Sequence, residues 1–402
     1  MQVISDLHIH SRFSRATSKD LTIANLEKWA KIKGISLLGT GDFSHPAWLQ
    51  ELKKELKEYN GILKTKTNFS FLLTNEVCLS YQKEKQRNVH LLLLAPDFEV
   101  VEQVNTYFKK LGRIDVDGRP NLNVSCSEFV EEIMRISEKI EIIPAHVWTS
   151  WFGIFGSVTG FDSMEEAFED KTKYIHAFET GMSSNPEMNW RLSFLDDYTI
   201  LSFSDSHSFW PWRLGREATV FELKEDFTYE EIINSIRKKR IALTIETPPE
   251  YGKYHFDGHR KCGFSCSPQE AIQLKNVCPV CGKPLTIGVL HRVEELADRR
   301  EGFKPVDAVP FKQLLPLHEV IALAFSTTFS SKKVWKEYEK LVSNFDNEFN
   351  VLLNVPFEQL SKVIDKKIAE AIIKNREGKI KIKPGFDGKY GEPIFYDQKR
   401  LV

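Results

Sequence analysis

No run of apolar residues approaches the roughly 20 that a membrane-spanning helix needs, and the chain opens directly on Met1-Gln2-Val3-Ile4 with no basic, signal-like segment. A soluble, cytoplasmic protein is expected, with no membrane partner. A charge excess of either sign is missing as well: 55 Lys and Arg stand against 56 Asp and Glu, a formal net charge of −1. Bulk electrostatics therefore point to no polyanionic partner, and only local basic patches can do so. Cysteine is sparse. Of six in all, Cys262, Cys266, Cys278 and Cys281 crowd into one segment, which suits a reducing compartment and a metal better than a disulfide framework. What remains is ordinary globular material, 402 residues with 42% apolar and 28% charged side chains, enough for two or three domains with real cores.

The first β-branched run ends in Asp6-Leu7-His8-Ile9-His10. Histidines at i and i+2 on an extended chain point to the same side, and two such imidazoles make half of a metal site. Thr22 is a suitable N-cap for an amphipathic helix through Lys33 that Gly34 closes, and Pro46 opens another helix. Short apolar strands follow at Phe69 to Leu73, Val89 to Leu94, Ile140 to Ile143, Tyr174 to Phe178, Thr199 to Phe203 and Ile241 to Ile245, with helical stretches between them. This alternation predicts an α/β fold with a parallel sheet, open or closed into a barrel. His8, His10, Asp42, Glu76, His146, Glu179, Asp205 and His207 all fall at or just past the C-terminal end of a predicted strand, the rim on which a β/α barrel builds its sites. His90 differs, because it begins its strand. So many ligand-type side chains on one rim predict a polynuclear metal centre.

Asp6-Leu7-His8-Ile9-His10, Gly41-Asp42, Asn75-Glu76, Val89-His90-Leu91, Ala145-His146 and Ser204-Asp205-Ser206-His207 resemble, in order, the motifs of the PHP (polymerase and histidinol phosphatase) superfamily. The resemblance covers about the first 245 residues. It implies a distorted β/α barrel with two or three divalent ions, phosphoester hydrolysis, and a place for His90 among the ligands. The chain departs from the pattern at Thr40-Gly41-Asp42, where Thr-Asp-His is usual, and at Ser14, Arg15 and Ala16, where a further ligand often stands. His45 is an alternative ligand there. The expected metal set is thus His8, His10, Asp42, His45, Glu76, His90, His146, Asp205 and His207, with Glu76, Asp205 and His207 catalytic. Glu76 is the natural bridge, able to give one oxygen to each of two ions. Zinc, manganese and magnesium are the candidates, and mixed His and carboxylate ligation suits zinc, manganese or iron better than magnesium. Such a pair polarises a phosphoryl oxygen and makes a nucleophile of water near neutral pH.

Composition shifts at Glu246-Thr247-Pro248-Pro249-Glu250, which divides a barrel over residues 1–245 from a small module over 246–288 and a mainly helical region over 289–402. In the module, Cys278-Pro279-Val280-Cys281-Gly282 is a strong structural-zinc knuckle. Cys262 and Cys266 complete four thiolates, although their spacing is unusual and His255 or His259 can replace one of them. His259, Arg260, Lys261, Lys275 and Lys283 give the module a basic surface. Lys379 to Lys383 alternates Lys with Ile like an edge strand. Gln398 to Leu401 resembles the opening of a sliding-clamp peptide, but the aromatic pair of such peptides is missing. Trp148, Trp151, Trp210 and Arg213 follow the rim histidines. With Glu179 they form the expected substrate-binding set, rings being suited to stack a base and Arg213 to hold a phosphate.

Barrel, four-cysteine module and helical region in this order are similar to the endonuclease Q family, and Asp6 to Lys19 and Pro384 to Gly391 carry the likeness beyond the metal motifs. The resemblance implies a DNA-repair nuclease that nicks double-stranded DNA 5′ to deaminated bases (uracil, hypoxanthine, xanthine) and abasic sites, with the lesion flipped toward the metals. The other function to weigh is a small-molecule phosphatase of the histidinol-phosphatase type, for which a barrel alone would suffice.

Overall fold

The opening β-branched run folds as the strand Gln2–Asp6, paired in parallel with Leu37–Gly39 and antiparallel with Ala218–Glu222. It thereby sits inside a sheet and not at its edge. The structure, a computed structural model, describes residues 1–394; the clamp-like stretch Gln398 to Leu401 lies outside the described residues. Among them eleven strands join one mixed sheet, and none of the helices is long and apolar enough to cross a membrane.

Parallel pairing, as expected, joins Gln2–Asp6, Leu37–Gly39 and Ser70–Lys83, but most of the remaining pairings in the main sheet are antiparallel. Ser70–Lys83 turns back at Glu84 (φ 54°) and pairs antiparallel along its length with Lys85–Ala95. A one-residue turn leaves no room for the crossover that parallel pairing needs. Ser70–Lys83 is also far longer than its apolar start suggests, so Glu76 and His90 lie inside strands and not at their ends. Beyond Lys85–Ala95 the sheet continues antiparallel into Glu141–Pro144. A parallel pair, Ala177–Glu179 with Thr199–Leu201, follows through the bridge between Ile142 and Ile175. A last parallel bridge joins Ser206 to Ile9 and brings the chain back to its first strand.

Helices flank this sheet where their end signals stand. Thr22 caps Ile23–Lys33 and Gly34 ends it in the left-handed conformation (φ 98°). Pro46 opens Pro46–Glu55, and reciprocal Ser125/Glu128 and Thr228/Glu231 capping boxes start Cys126–Ile136 and Tyr229–Arg237.

The C-terminal region is helical as expected, with Leu317–Phe325, Lys332–Asn344, Glu348–Leu353, Phe357–Val363 and Lys366–Arg376. It also lends the strand Phe311–Gln313 to the main sheet, parallel to Ile241–Glu246, and its apolar residues join the same core as the sheet. A buried ion pair bolts the two parts together. Lys33 Nζ lies 2.7 Å from Glu348 Oε1 and donates to the Pro211 carbonyl, while Glu348 also accepts from the Leu317 amide and the Tyr338 hydroxyl.

Candidate metal centre

His8 and His10 follow the strand Gln2–Asp6, and both are fully buried. His8 Nδ1 donates to the Glu179 carboxylate at 2.9 and 3.0 Å, and His10 Nδ1 donates to Asp42 Oδ1 at 3.0 Å. Each carboxylate fixes the tautomer and leaves Nε2 free to bind an ion. His10 Nε2 lies 3.1 Å from both Glu76 Oε2 and Asp205 Oδ1. His8 Nε2 lies 3.6 and 3.7 Å from the same two oxygens and has no hydrogen-bond partner. The two His8 separations are long for hydrogen bonds, and all four distances suit ligands about 2.0–2.2 Å from one shared ion. His8, His10, Glu76 and Asp205 can thus hold one ion.

Glu76 also belongs to a second group. Its Oε1 lies 2.7 Å from His90 Nδ1 and 3.0 Å from His146 Nε2, and the three residues can hold another ion. Cys78 is the register partner of His90, so Glu76, two residues before Cys78, faces the same side of the sheet. One carboxylate oxygen thus serves each group.

Asp42, His146 and Asp205 sit at φ 48°, 30° and 48°. That region costs a residue with a side chain about 1–3 kcal/mol and is found where surrounding structure imposes it.

Electrostatics agree with a site built for cations. Burial raises the carboxyl of Glu76, but the charges of His90 and His8 and hydrogen bonds from His10 and His146 hold it well below the usual range. Asp205, raised by burial, is held well down by hydrogen bonds from His10 and His207 and by the charge of His8. Burial lowers His8 and His10, yet Glu179 with Glu76, and Asp42 with Asp205, hold them well above the ordinary histidine value. Protons on these imidazoles supply positive charge that the carboxylates demand. Divalent ions would replace them and release protons.

Several expected site residues stand elsewhere. Asp42 lies behind His10 and joins neither group; its Oδ2 accepts from the Ser11 amide at 2.6 Å and the Ser14 hydroxyl at 2.8 Å. His45 is the residue before helix Pro46–Glu55, and its ring stacks on Phe13 at 4.4 Å, away from both groups. His207 is also outside them: its Nδ1 donates to the Arg15 carbonyl at 3.2 Å, its Nε2 lies 3.6 Å from Asp205 Oδ1, and its ring lies 4.4 Å from that of His10. Glu179 is buried and committed to His8 and to the His146 amide, so it has no surface for substrate. Trp148 is buried too, its indole donating to Asn189 Oδ1 at 2.8 Å. Trp151 and Trp210, by contrast, are 46% and 36% exposed. Trp210 stacks on Trp212 and meets Trp335 of the helical region. Arg213 is partly exposed, close enough to Glu319 for its charge to be felt there.

Arg119 carries no signal in the sequence. Its Nη1 lies 3.2 Å from Glu76 Oε2, which puts a guanidinium against the shared carboxylate.

The cysteine module gathers His259, Cys262, Cys278 and Cys281, with His259 Nδ1 at 3.2 Å from Cys262 Sγ and 3.3 Å from Cys281 Sγ. His259 thus takes the place expected of Cys266. The hairpin of Asp257–His259 with Phe264–Cys266 sets Cys266 opposite Asp257, and Cys266 is buried in a small apolar cluster with Ala271 and Leu285. Three thiolates and an imidazole fill a tetrahedron as a structural zinc site does. Burial raises the Cys278 thiol, but the amides of Val280 and Cys281 outweigh it and bring it down to about 7.

Residues 316–379 match the family described as MJ0043 C-terminal domain. MJ0043 of Methanocaldococcus jannaschii is 35% identical over 260 residues, which are 63% of this chain and 32% of that protein, so the chain spans less than half of that relative's length. YqxK of Bacillus subtilis is 27% identical over 412 residues, covering 97% of this chain and 99% of that one. The crystal structure of the lesion-specific endonuclease PfuEndoQ from Pyrococcus furiosus superposes with a TM-score of 0.89 at 35% identity, over 99% of this chain and 96% of that chain. A crystal structure of Endonuclease Q with a 27-mer duplex substrate, an abasic lesion at its active site, matches with the same TM-score and identity over 98% of its chain.

Proposed function

This chain belongs to the endonuclease Q family, and from that premise we propose that it nicks double-stranded DNA on the 5′ side of a deaminated base (uracil, hypoxanthine or xanthine) or an abasic site. It is a DNA-repair endonuclease that hydrolyses a phosphodiester. The observation that carries the proposal is Glu76, shared between two ligand groups, in a chain that superposes over nearly its whole length on a lesion-specific nuclease.

We read the fold as a distorted β/α barrel of PHP type, supported by the circuit of pairings that leaves Gln2–Asp6 and returns through the bridge from Ser206 to Ile9. The domain boundaries at 245 and 288 stay part of this proposal. Zinc, manganese or magnesium, bound as a pair, would polarise the phosphoryl oxygen and lower the pKa of water. His8, His10, Glu76 and Asp205 would hold one ion and Glu76, His90 and His146 the other, while zinc would occupy the His259 group.

The chain's own residues do the rest. Glu179 and Asp42 keep a proton on Nδ1 of His8 and His10 and so keep each Nε2 turned to the centre. His207 Nδ1 is committed to the Arg15 carbonyl, which leaves Nε2 for substrate or water. We assign Glu76, Asp205 and His207 as the catalytic residues. Trp151 and Trp210 offer exposed rings on which an extruded base or its neighbour can stack, and Arg213 a cation for the backbone.

The test uses the full chain with Mn²⁺ or Mg²⁺ and an end-labelled duplex carrying one deoxyuridine or deoxyinosine. A nick on the 5′ side of the lesion, absent from the undamaged duplex and from the His8→Ala variant, is the expected outcome. Phosphate release from histidinol phosphate with no nick in the duplex would replace this proposal with the phosphatase.

A further inference from the structure

Glu76 is already surrounded by four histidines, so its contact with Arg119 is not needed to satisfy it. A guanidinium beside a carboxylate that binds divalent ions also works against those ions, because the charges repel. A cation in that position makes physical sense when an anion completes the set. We propose that Arg119 binds the non-bridging oxygens of the scissile phosphodiester, a role that rests on the phosphodiesterase reading of the centre.

The backbone holds Arg119 in place from both sides. Gly118 donates its amide to the Phe13 carbonyl at 3.1 Å, and its own carbonyl accepts from the Ser44 hydroxyl at 3.2 Å. A Cβ at Gly118 would collide with the carboxylate of Asp42 and the hydroxyl of Ser14, so the loop lies directly on the group that orients His10. The Arg119 amide donates to Asp117 Oδ1 at 3.2 Å. The Pro120 carbonyl accepts from the Cys78 amide at 3.0 Å, two residues along the strand from Glu76. An arginine fixed in this way loses little further freedom when it takes up a ligand.

Its side chain is free to do so. A guanidinium has five N–H donors in one plane. Among the described residues the acceptor recorded for this one is Glu76, reached by Nη1. The side chain keeps 31% of its surface exposed, so its other donors open to the rim where a phosphate would lie. Two parallel N–H bonds to a phosphate match the fork of arginine and not the single ammonium of lysine. Arg15 is no substitute. It is 80% exposed and its Nε is paired with Asp117 at 3.2 Å.

The experiment compares the full-length wild type with Arg119→Ala and Arg119→Lys, each loaded with Mn²⁺, on the deoxyuridine duplex. Bound metal per chain is measured on the same samples. Arg119→Ala should keep its metal and lose about 10²–10³-fold in the nicking rate at saturating enzyme, and Arg119→Lys should regain little of it. Its affinity for the uncut duplex in the presence of a chelator should also fall. Wild-type nicking by Arg119→Ala would overturn the proposal, as would loss of metal together with activity that added Mn²⁺ restores, since Arg119 would then only position Glu76. If Arg119→Ala does not fold, Arg119→Gln is read by the same criteria. If the wild type nicks no damaged duplex, the endonuclease reading has failed; bis(p-nitrophenyl) phosphate then takes the duplex's place, and hydrolysis unchanged by Arg119→Ala would overturn the assignment of Arg119.

Discussion

Two buried carboxylates govern the histidine pair at the start of the chain. Glu179 and Asp42 each accept a hydrogen bond from the Nδ1–H of one imidazole and leave Nε2 facing Glu76 and Asp205. Replacing Glu179 by Gln removes the charge that orients His8 without removing a ligand. Metal affinity should fall about 10–100-fold, measured by Mn²⁺ titration, while the ligand groups themselves remain. His8, His10, Glu76, His146 and Asp205, which the fold gathers into two groups, were legible in the sequence because they stand at recognisable spacings beside apolar strands. The hydrogen bond between Asp42 and His10 was not. A carboxylate that binds an ion and one that holds a histidine look alike until the Nδ1 geometry is seen. Arg119 was invisible for a different reason: a single arginine between Gly118 and Pro120 has no periodicity, and only the folded loop brings it to Glu76. Trp148 and Trp151 lie three residues apart, yet one is buried and the other nearly half exposed, a difference that no composition rule contains.

At the scale of elements, helix ends are legible where their signals are local: Thr22 and Gly34, and Pro46. Strand pairing was read less well because it is not local. The turn at Glu84 replaces an expected crossover with a long hairpin, and this brings Glu76 and His90 onto one face. The cysteine module shows the same limit. Its knuckle was evident, but the register of a three-residue hairpin decides that His259 and not Cys266 meets the other thiolates. If the module holds the proposed zinc, His259→Ala should release it, whereas Cys266→Ser should retain it. Zinc content after gel filtration separates the two, and the reverse pattern would restore the four-cysteine site.

Across the whole molecule, sheet and helical region share one core, and the Lys33–Glu348 pair ties them beside the loop that carries Trp210 and Trp212. Removing one partner leaves a buried charge uncompensated. Lys33→Met should cost about 3–5 kcal/mol in denaturant unfolding, with much of it recovered in the Lys33→Met, Glu348→Gln double variant. The proposed centre joins two ligand groups through Glu76, with Arg119 beside it. Glu76 itself is the most direct point at which to test it, through a count of metal ions per chain in wild type and Glu76→Ala. The wild type should carry one zinc in the His259 group and two ions at the rim, and Glu76→Ala should keep the zinc and lose rim metal together with lesion-dependent nicking. Full rim occupancy with unaltered nicking in Glu76→Ala would contradict the shared-carboxylate centre.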